Sequence, residues 1–184
     1  MTPAHEIPFP GPAAEFAATL AAQLPVLQTE RLTLRPSALP DFPDWADILC
    51  GPDGQWLGGP FTRDQAFTEF AAAVGTWLLR GHGPWTVETK SGEVLGFVLI
   101  GFEPGDIAPE LGYFFHRSAH GRGYAVEAAK AVHAHAFEHL ALPELVSMID
   151  PENARSQNLA LRLGAAPDGT VDGAQIWRHK RRQP

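Results

Sequence analysis

Residues 110–125 read Glu-Leu-Gly-Tyr-Phe-Phe-His-Arg-Ser-Ala-His-Gly-Arg-Gly-Tyr-Ala, and this is where the residue types most able to do chemistry gather. An apolar run of strand character leads into a tight turn holding Gly121 and Gly123, and a helix opens directly from that turn. At a helix start the first N–H groups have no backbone partner, and the helix dipole adds positive potential. Neither glycine carries a Cβ, so a bulky anion can approach the backbone closely. Strand, glycine turn and helix together make a phosphate site. It is not a P-loop, because no Gly-Lys-Ser/Thr follows a longer glycine-bounded loop. A dinucleotide fingerprint would place a third glycine near Val126 and a strand-helix-strand unit at the start of a parallel sheet; both are missing. Taken alone, Gly121-Arg122-Gly123 also fits a simple tight strand-to-helix turn.

The surroundings of the turn resemble the GNAT acetyltransferase superfamily, and more closely its branch that includes the ribosomal-protein N-terminal acetyltransferases RimJ and RimL. The family's phosphate motif is Gln/Arg-x-x-Gly-x-Gly/Ala. This chain has His120-Gly121-Arg122-Gly123-Tyr124-Ala125, with His120 the departure. A second family motif, Asn-x-x-Ala/Ser on the next helix with Gly just past its end, matches Asn153, Ser156 and Gly164. The interval between the motifs leaves room for one helix and one strand. The resemblance covers residues 28–169, preceded by an arm and short helix over 1–27.

The resemblance implies an α/β GNAT fold: a mixed central sheet of about six to seven strands flanked by helices, with a bulge that splays the fourth strand from the fifth. It implies acetyl-CoA as co-substrate and no metal. The pantetheine arm would enter the gap between residues 109–116 and 145–149 and bond to backbone near Phe115, as a strand would. The pyrophosphate would lie on the N–H groups of Gly121, Arg122, Gly123, Tyr124 and Ala125, beside His120. Asn153 would reach the pantetheine amides. A primary amine, on a small molecule or a protein N-terminus, would attack the thioester directly in a ternary complex, without a covalent enzyme intermediate.

That attack needs a neutral amine, so a base or a water chain must accept its proton. Glu110 starts the strand and is the first candidate; a solvent-exposed strand-end glutamate is the alternative. In a regular strand Glu110, Gly112 and Phe114 share one face. His82 and His116 are weaker candidates. Many relatives supply a tyrosine to the leaving thiolate four residues after the Ala/Ser position, but here that residue is Ala160. The resemblance to the RimL branch assigns the role to Ser156, whose hydroxyl would hydrogen-bond sulfur. Trp56, Phe61 and Trp85 are candidates for the acceptor pocket, with plain core packing as the alternative. Of the histidines on the long helix, only His135 and His139 share a face, which reads with His133 as a solvated surface and not a metal site.

The elements that must position these residues follow from periodicity. Residues 31–36 read as a strand. Residues 40–50 form a short helix with Phe42, Trp45 and Leu49 inward. Residues 51–60 are a Gly/Pro-rich loop. Thr62 caps a helix that Gly81 and Gly83 end. Two strands, 85–89 and 94–102, join through Lys90-Ser91-Gly92-Glu93. After the strand at 109–116 comes a helix over 121–140 with the apolar stripe Ala125, Ala129, Val132, Ala136 and Leu140. A strand at 145–149, a helix at 153–163 and a last strand at 174–177 complete the chain. Ahead of these, Phe16, Leu20 and Leu24 mark a short amphipathic helix that covers the core edge or meets a second subunit in a homodimer.

Composition bounds the rest. A chain of 184 residues fits one domain with a short appendage. The net charge of −7 argues against nucleic acid as the main partner and suits either a cationic acceptor or mere solubility. A single cysteine, Cys50, reads as a small core residue and fits a reducing, cytoplasmic setting. No basic-then-apolar leader and no membrane-spanning run is present in the sequence. The residues 179–182 read as a basic, solvated tail. Besides an active N-acetyltransferase, a non-catalytic acyl-CoA-binding module of the same fold stays open, because Ala160 and His120 depart from the family pattern. A nucleotide-binding protein taking ATP or NAD is a third reading.

Overall fold

Alternating side chains build one eight-stranded sheet in the computed structural model, which describes residues 2–181. The strands are β1 (Leu27–Gln28), β2 (Leu32–Pro36), β3 (Pro84–Thr89), β4 (Val94–Gly101), β5 (Glu110–Phe115), β6 (Val146–Ile149), β7 (Ala166–Val171) and β8 (Ala174–Arg178). Their order across the sheet is β1-β2-β3-β4-β5-β6-β8-β7. Every neighbouring pair is antiparallel except β5 and β6. Opposite faces of the strands go to different cores. Phe97 and its partner Phe114 face α2 (Phe42–Leu49) and α3 (Arg63–Arg80), against Trp45 and Phe70. Val98, Ile100, Leu111 and Phe115 face α4 (Tyr124–Glu138). Ala129, Val132 and Ala136 of the expected stripe are fully buried there.

Local chemistry sets the helix ends. Thr62 Oγ1 accepts from the Gln65 N–H, and Gln65 Oε1 accepts from the Thr62 N–H, so two orphan donors of α3 are satisfied reciprocally. Asn153 Oδ1 accepts from the Ser156 N–H and caps α5 (Ala154–Leu163). Gly164, at φ +85°, ends α5 in the left-handed conformation that a side chain would resist. The chain before β1 is tied to the domain by an ion pair near its start. Glu6 is buried, and its carboxylate accepts from Arg63 Nε at 2.7 Å and Nη2 at 2.8 Å.

Several expectations need correction. The sheet has two strands more than the sequence pattern showed: β1 is two residues long, and β7 carries Pro167, Asp168 and Gly169 on an exposed edge with a register shift against β8. Cys50 is exposed, because it lies just past the last residue of α2. His133 and His135 are buried, and His135 packs edge-on to Trp85 at 5.6 Å; among the three helix histidines only His139 is exposed. His179 is buried too, its N–H donating to the Leu145 carbonyl, so the tail does not begin there. Arg182 lies outside the described residues. In α1 (Pro12–Ala21), Phe16 and Leu20 face solvent, while Leu24 beyond it packs against the core.

Trp85 is not in an acceptor pocket. It pairs with Val98 across β3 and β4, so its side chain goes to the α4 face. There it is fully buried, edge-on to Trp77 at 4.7 Å, with Nε1 donating to the Pro25 carbonyl at 2.9 Å. Trp85→Ala is therefore expected to cost about 3–5 kcal/mol of stability by denaturant titration, the range for truncating a buried aromatic. Acetyl-CoA affinity per folded molecule, measured by calorimetry, is expected to stay at the wild-type value.

Candidate active site

The site begins where a β ladder stops. β5 and β6 pair at a single position, Glu110 with Val146, and the Val146 N–H donates to the Pro109 carbonyl at 3.0 Å. The next parallel rung would join the Met148 N–H to the Leu111 carbonyl. Side chains occupy both groups instead. Met148 donates to Glu110 Oε1 at 2.9 Å, and the Leu111 carbonyl accepts from the Ser147 hydroxyl at 2.7 Å. His179 Nε2 lies 3.0 Å from the same hydroxyl. Because the Ser147 proton goes to Leu111, the imidazole N–H is the donor in that contact. Burial, with His133 nearby, lowers the His179 pKa to about 4 and keeps the ring neutral. The splay is thus made by side chains. The expected bulge in the strand of Glu110 is absent, and β4–β5 register runs unbroken from Gly96–Phe115 to Gly101–Glu110.

A cavity of about 420 Å³ opens at this gap. Glu110, Phe115, His120, Ala125, Asn153 and Ser156 all line it, so residues expected at both ends of the coenzyme's reacting arm meet in one cavity. Trp56 and Phe61 line it too, and Glu69, Glu103 and Asp106 add carboxylates. His82 and His116 are not on the wall: His82 Nδ1 bonds the Ile100 carbonyl, and His116 Nε2 bonds Asp44. Ala160 is fully buried against Ile149 and Trp177. Among the described residues no group of three or more His, Cys, Asp or Glu is arranged to hold a metal, and no helix is long and apolar enough to cross a membrane.

The glycine turn lies just outside this wall, between His120 and Ala125, which belong to it. Gly121 and Gly123 have φ +75° and +80°, and α4 starts at Tyr124. The turn is braced from a distance. Arg31 Nη1 donates to the Arg122 carbonyl at 3.0 Å, Arg31 Nε donates to Glu127 at 2.6 Å, and the guanidinium lies 4.6 Å from the Tyr124 ring centre. Exposed turn glycines, free first-turn N–H groups and a widened strand gap fit a coenzyme A pyrophosphate and pantetheine arm.

One backbone expectation changes. The His116 N–H donates to Leu95 of β4, so the peptide groups of Phe115 turn to the other edge, into the gap. The Phe115 carbonyl there is already engaged by His120 Nε2 at 3.0 Å, while Arg155 Nη1 donates to His120 Nδ1 at 2.6 Å. This pair of bonds sets the His120 tautomer, with the proton on Nε2. Arg155 also bonds Asp53, as does Arg117 at 3.0 and 3.2 Å. The Arg117 bonds hold the Asp53 carboxyl below the usual range, against burial and with help from Arg155. The segment carrying Trp56, expected as a loop but wound into a 3-10 helix over Pro52–Leu57 with Pro52 in its first turn, is thereby tied to the turn and to α5.

Glu110 has the electrostatics of a base. Burial raises its pKa to about 7, against the Met148 N–H and with small additions from Asp106 and Glu103. Tyr113 also lines the cavity, and its hydroxyl donates to the Ser156 carbonyl at 3.0 Å. Sequence reasoning missed Tyr113, Ser147, Asp53, Arg155, Glu103 and Asp106. Tyr113 stands in the quoted motif and could have been noticed. The others lie on separate elements, and nothing local marks them.

The parallel gap, the glycine turn and the capped α5 define the class of GNAT acyltransferase folds. The chain matches the family described as the acetyltransferase (GNAT) domain over residues 31–166, and it belongs to that family. It is 30% identical over 156 residues to the uncharacterized N-acetyltransferase p20 of Bacillus licheniformis, covering 79% of this chain and 84% of that protein. It is 36% identical over 99 residues to the uncharacterized protein YkkB of Bacillus subtilis (strain 168), spanning 50% of this chain and only 56% of YkkB. The crystal structure of an acetyltransferase from Agrobacterium tumefaciens str. C58 superposes with a TM-score of 0.82 at 36% identity, covering 86% of this chain and 95% of that one. RimL, a ribosomal L7/L12 α-N-protein acetyltransferase solved with coenzyme A, shares the fold with a TM-score of 0.69 at 16% identity, over 84% of this chain and 97% of that one.

A side chain at Gly123 would be strained at φ +80°, and its Cβ would sit 3.4 Å from Arg31 Nη2. Gly123→Val is expected to weaken acetyl-CoA binding at least about tenfold by calorimetry, since it disturbs the donors of the helix start. Unchanged affinity in a variant with native circular dichroism would remove the turn from the binding site.

Proposed function

We propose that the protein is an N-acetyltransferase that moves an acetyl group from acetyl-CoA to a primary amine by direct attack in a ternary complex. The observation that carries this reading is Glu110: a carboxylate on the cavity wall, fixed by the Met148 N–H at the broken rung, with a pKa near the operating pH. The amine arrives as an ammonium ion, gives a proton to Glu110 directly or through a water, and attacks the thioester carbon. Asn153 keeps its side-chain NH₂ for a pantetheine carbonyl while Oδ1 caps α5. Ser156, on the same wall, stands beside the departing sulfur. The one cysteine, Cys50, is exposed and not on the wall, which favours direct transfer over a thiol-bound acyl enzyme.

The acceptor side favours a positively charged amine. Glu69, Glu103 and Asp106 line the same cavity as the Trp56 and Phe61 rings, which can hold a cation over their faces. Burial raises the Glu103 pKa, and Glu69 and Asp106 push it further, so a cation there relieves the mutual repulsion. Initial rates of CoA release against a panel of mono- and diamines test this. Glu103→Gln is expected to raise the acceptor KM with little loss of kcat.

Glu110→Gln keeps an oxygen for the Met148 N–H and removes the base. The expected outcome is a kcat lower by about 10²–10⁴-fold with acetyl-CoA affinity unchanged. In the wild type, Glu110 is active only when ionised, so kcat/KM should fall as pH drops below about 7, and this limb should vanish in the variant. Stability moves the opposite way. The folded pKa lies above the ordinary 4.5, so the folded state binds the extra proton between those values. Wild-type stability therefore declines as pH rises from 4.5 through about 7, by on the order of 3 kcal/mol, and Glu110→Gln should flatten that decline. Binding without turnover in the wild type would identify a non-catalytic acyl-CoA-binding module.

A further inference from the structure

A thioester that yields its acyl group leaves a thiolate behind, and a thiolate inside a partly dry cavity needs a proton. Three hydroxyl side chains line the cavity: Tyr113, Ser147 and Ser156. Ser147 donates to the Leu111 carbonyl, a bond that holds the gap open, whereas the Tyr113 phenol donates to the Ser156 carbonyl inside α5, which the helix ladder also serves and the phenol can leave. An aliphatic hydroxyl such as that of Ser156 is a far weaker acid than a phenol, whose ordinary pKa is about 10. Tyr113 is the phenol on the wall. It stands on β5 two residues beyond Leu111, where the ladder to β6 has already opened. Its ring crosses toward α5, and its hydroxyl lies 3.0 Å from the Ser156 carbonyl. That carbonyl is the point where the phenol waits, on the same side of the gap as the Ser156 and Asn153 side chains.

We propose that Tyr113 is a catalytic residue: its phenol donates the proton that the departing coenzyme A thiolate takes up. The proposal rests on the acetyl-transfer reading above. The amine nitrogen forms the new C–N bond, and the C–S bond breaks with its electron pair going to sulfur. The ammonium's first proton has already left through Glu110 to solvent; the second, shed by the nitrogen as the C–N bond forms, goes to the re-ionised Glu110, and the phenolic proton goes to sulfur, giving the thiol. The phenolate then regains a proton from solvent while Glu110 releases one, so the cycle is balanced.

The groups around the phenol suit this order of events. Glu110, on the other face of the same strand, acts on it through its charge; Ser147 neighbours it from β6 with neutral His179 behind, and Ser156 from α5, while Arg155 and His120 also line the cavity. Burial is the main influence raising the Tyr113 pKa, and the Glu110 charge adds to it. The phenol is therefore protonated throughout the neutral range. When Glu110 takes the amine's proton, its charge is gone and the phenol becomes a better donor as the thiolate forms. Base and acid are coupled through space.

The test uses the full chain, acetyl-CoA and the fastest amine of the panel described above. Tyr113→Phe is expected to lower kcat at least about 100-fold, the ordinary yield of a positioned acid, with the KM for acetyl-CoA little changed. A second variant separates acid from strut: 3,5-difluorotyrosine at position 113 keeps the ring and the Ser156 contact but carries a more acidic phenol. It is expected to move the alkaline limb of the kcat profile to lower pH. A phenol that only braces α5 would leave that limb in place, and this result, or a Tyr113→Phe enzyme with wild-type kcat, would overturn the proposal while leaving acetyl transfer intact. A wild type that binds acetyl-CoA but releases no CoA with any amine would overturn both.

Discussion

Two side chains hold one rung of the sheet open, and the rest of the site depends on them. The Met148 N–H donates to Glu110, and the Leu111 carbonyl accepts from the Ser147 hydroxyl, so neither backbone group is left unpaired although the strands part. A buried amide or carbonyl without a partner would be costly, and a plain gap between β5 and β6 would close. Satisfying the groups from the side lets the gap persist. The same device places a carboxylate, a hydroxyl and a phenol on the wall of the opening. Glu110 is therefore a structural bond and a base at once. Its position at the last paired residue of the ladder explains both.

Around this opening, long-range ion pairs fix pieces that have no local reason to meet. Arg31, ahead of β2, reaches the turn before α4 and the Glu127 carboxylate inside it. Asp53, in the 3-10 helix after α2, collects Arg117 and Arg155 from either side of the phosphate turn. These pairs are exposed enough that each contributes little stability alone. Their role is geometric. They set how the Trp56 segment, the glycine turn and the start of α5 sit relative to the gap. The His120 tautomer is a consequence of the same network, because Arg155 forces Nδ1 to accept.

The fold also spends the two sheet faces differently. The α4 face is filled by aliphatic side chains and small helix residues, with Trp85 and His135 packed among them. The α2–α3 face is aromatic, and the cavity borders it through Trp45 and Phe114. That difference explains why Trp85 and Trp56, both plausible pocket residues in a linear reading, end in opposite places. Strand alternation assigns Trp85 to the side of Val98. Trp56 is in a short 3-10 helix, Pro52–Leu57, where no strand alternation applies.

The sequence by itself determined the phosphate turn, the capped helix after it, the helix stripe of Ala129, Val132 and Ala136, and the glutamate at the head of the strand. Each is local: a glycine needing positive φ, a cap three residues from its donor, an apolar period, a single position in a motif. Only the tertiary structure decided how the gap is held, which carbonyls are free, and which residues surround Glu110. Ser147 and Leu111 are 36 residues apart, and Arg155 and Asp53 are 102 apart. Such pairs leave no periodic trace, because their partners are chosen by the sheet's topology and not by neighbouring residues. The pKa of Glu110 is of this second kind: the carboxylate is written in the chain, but its desolvation comes from the walls that folding brings around it.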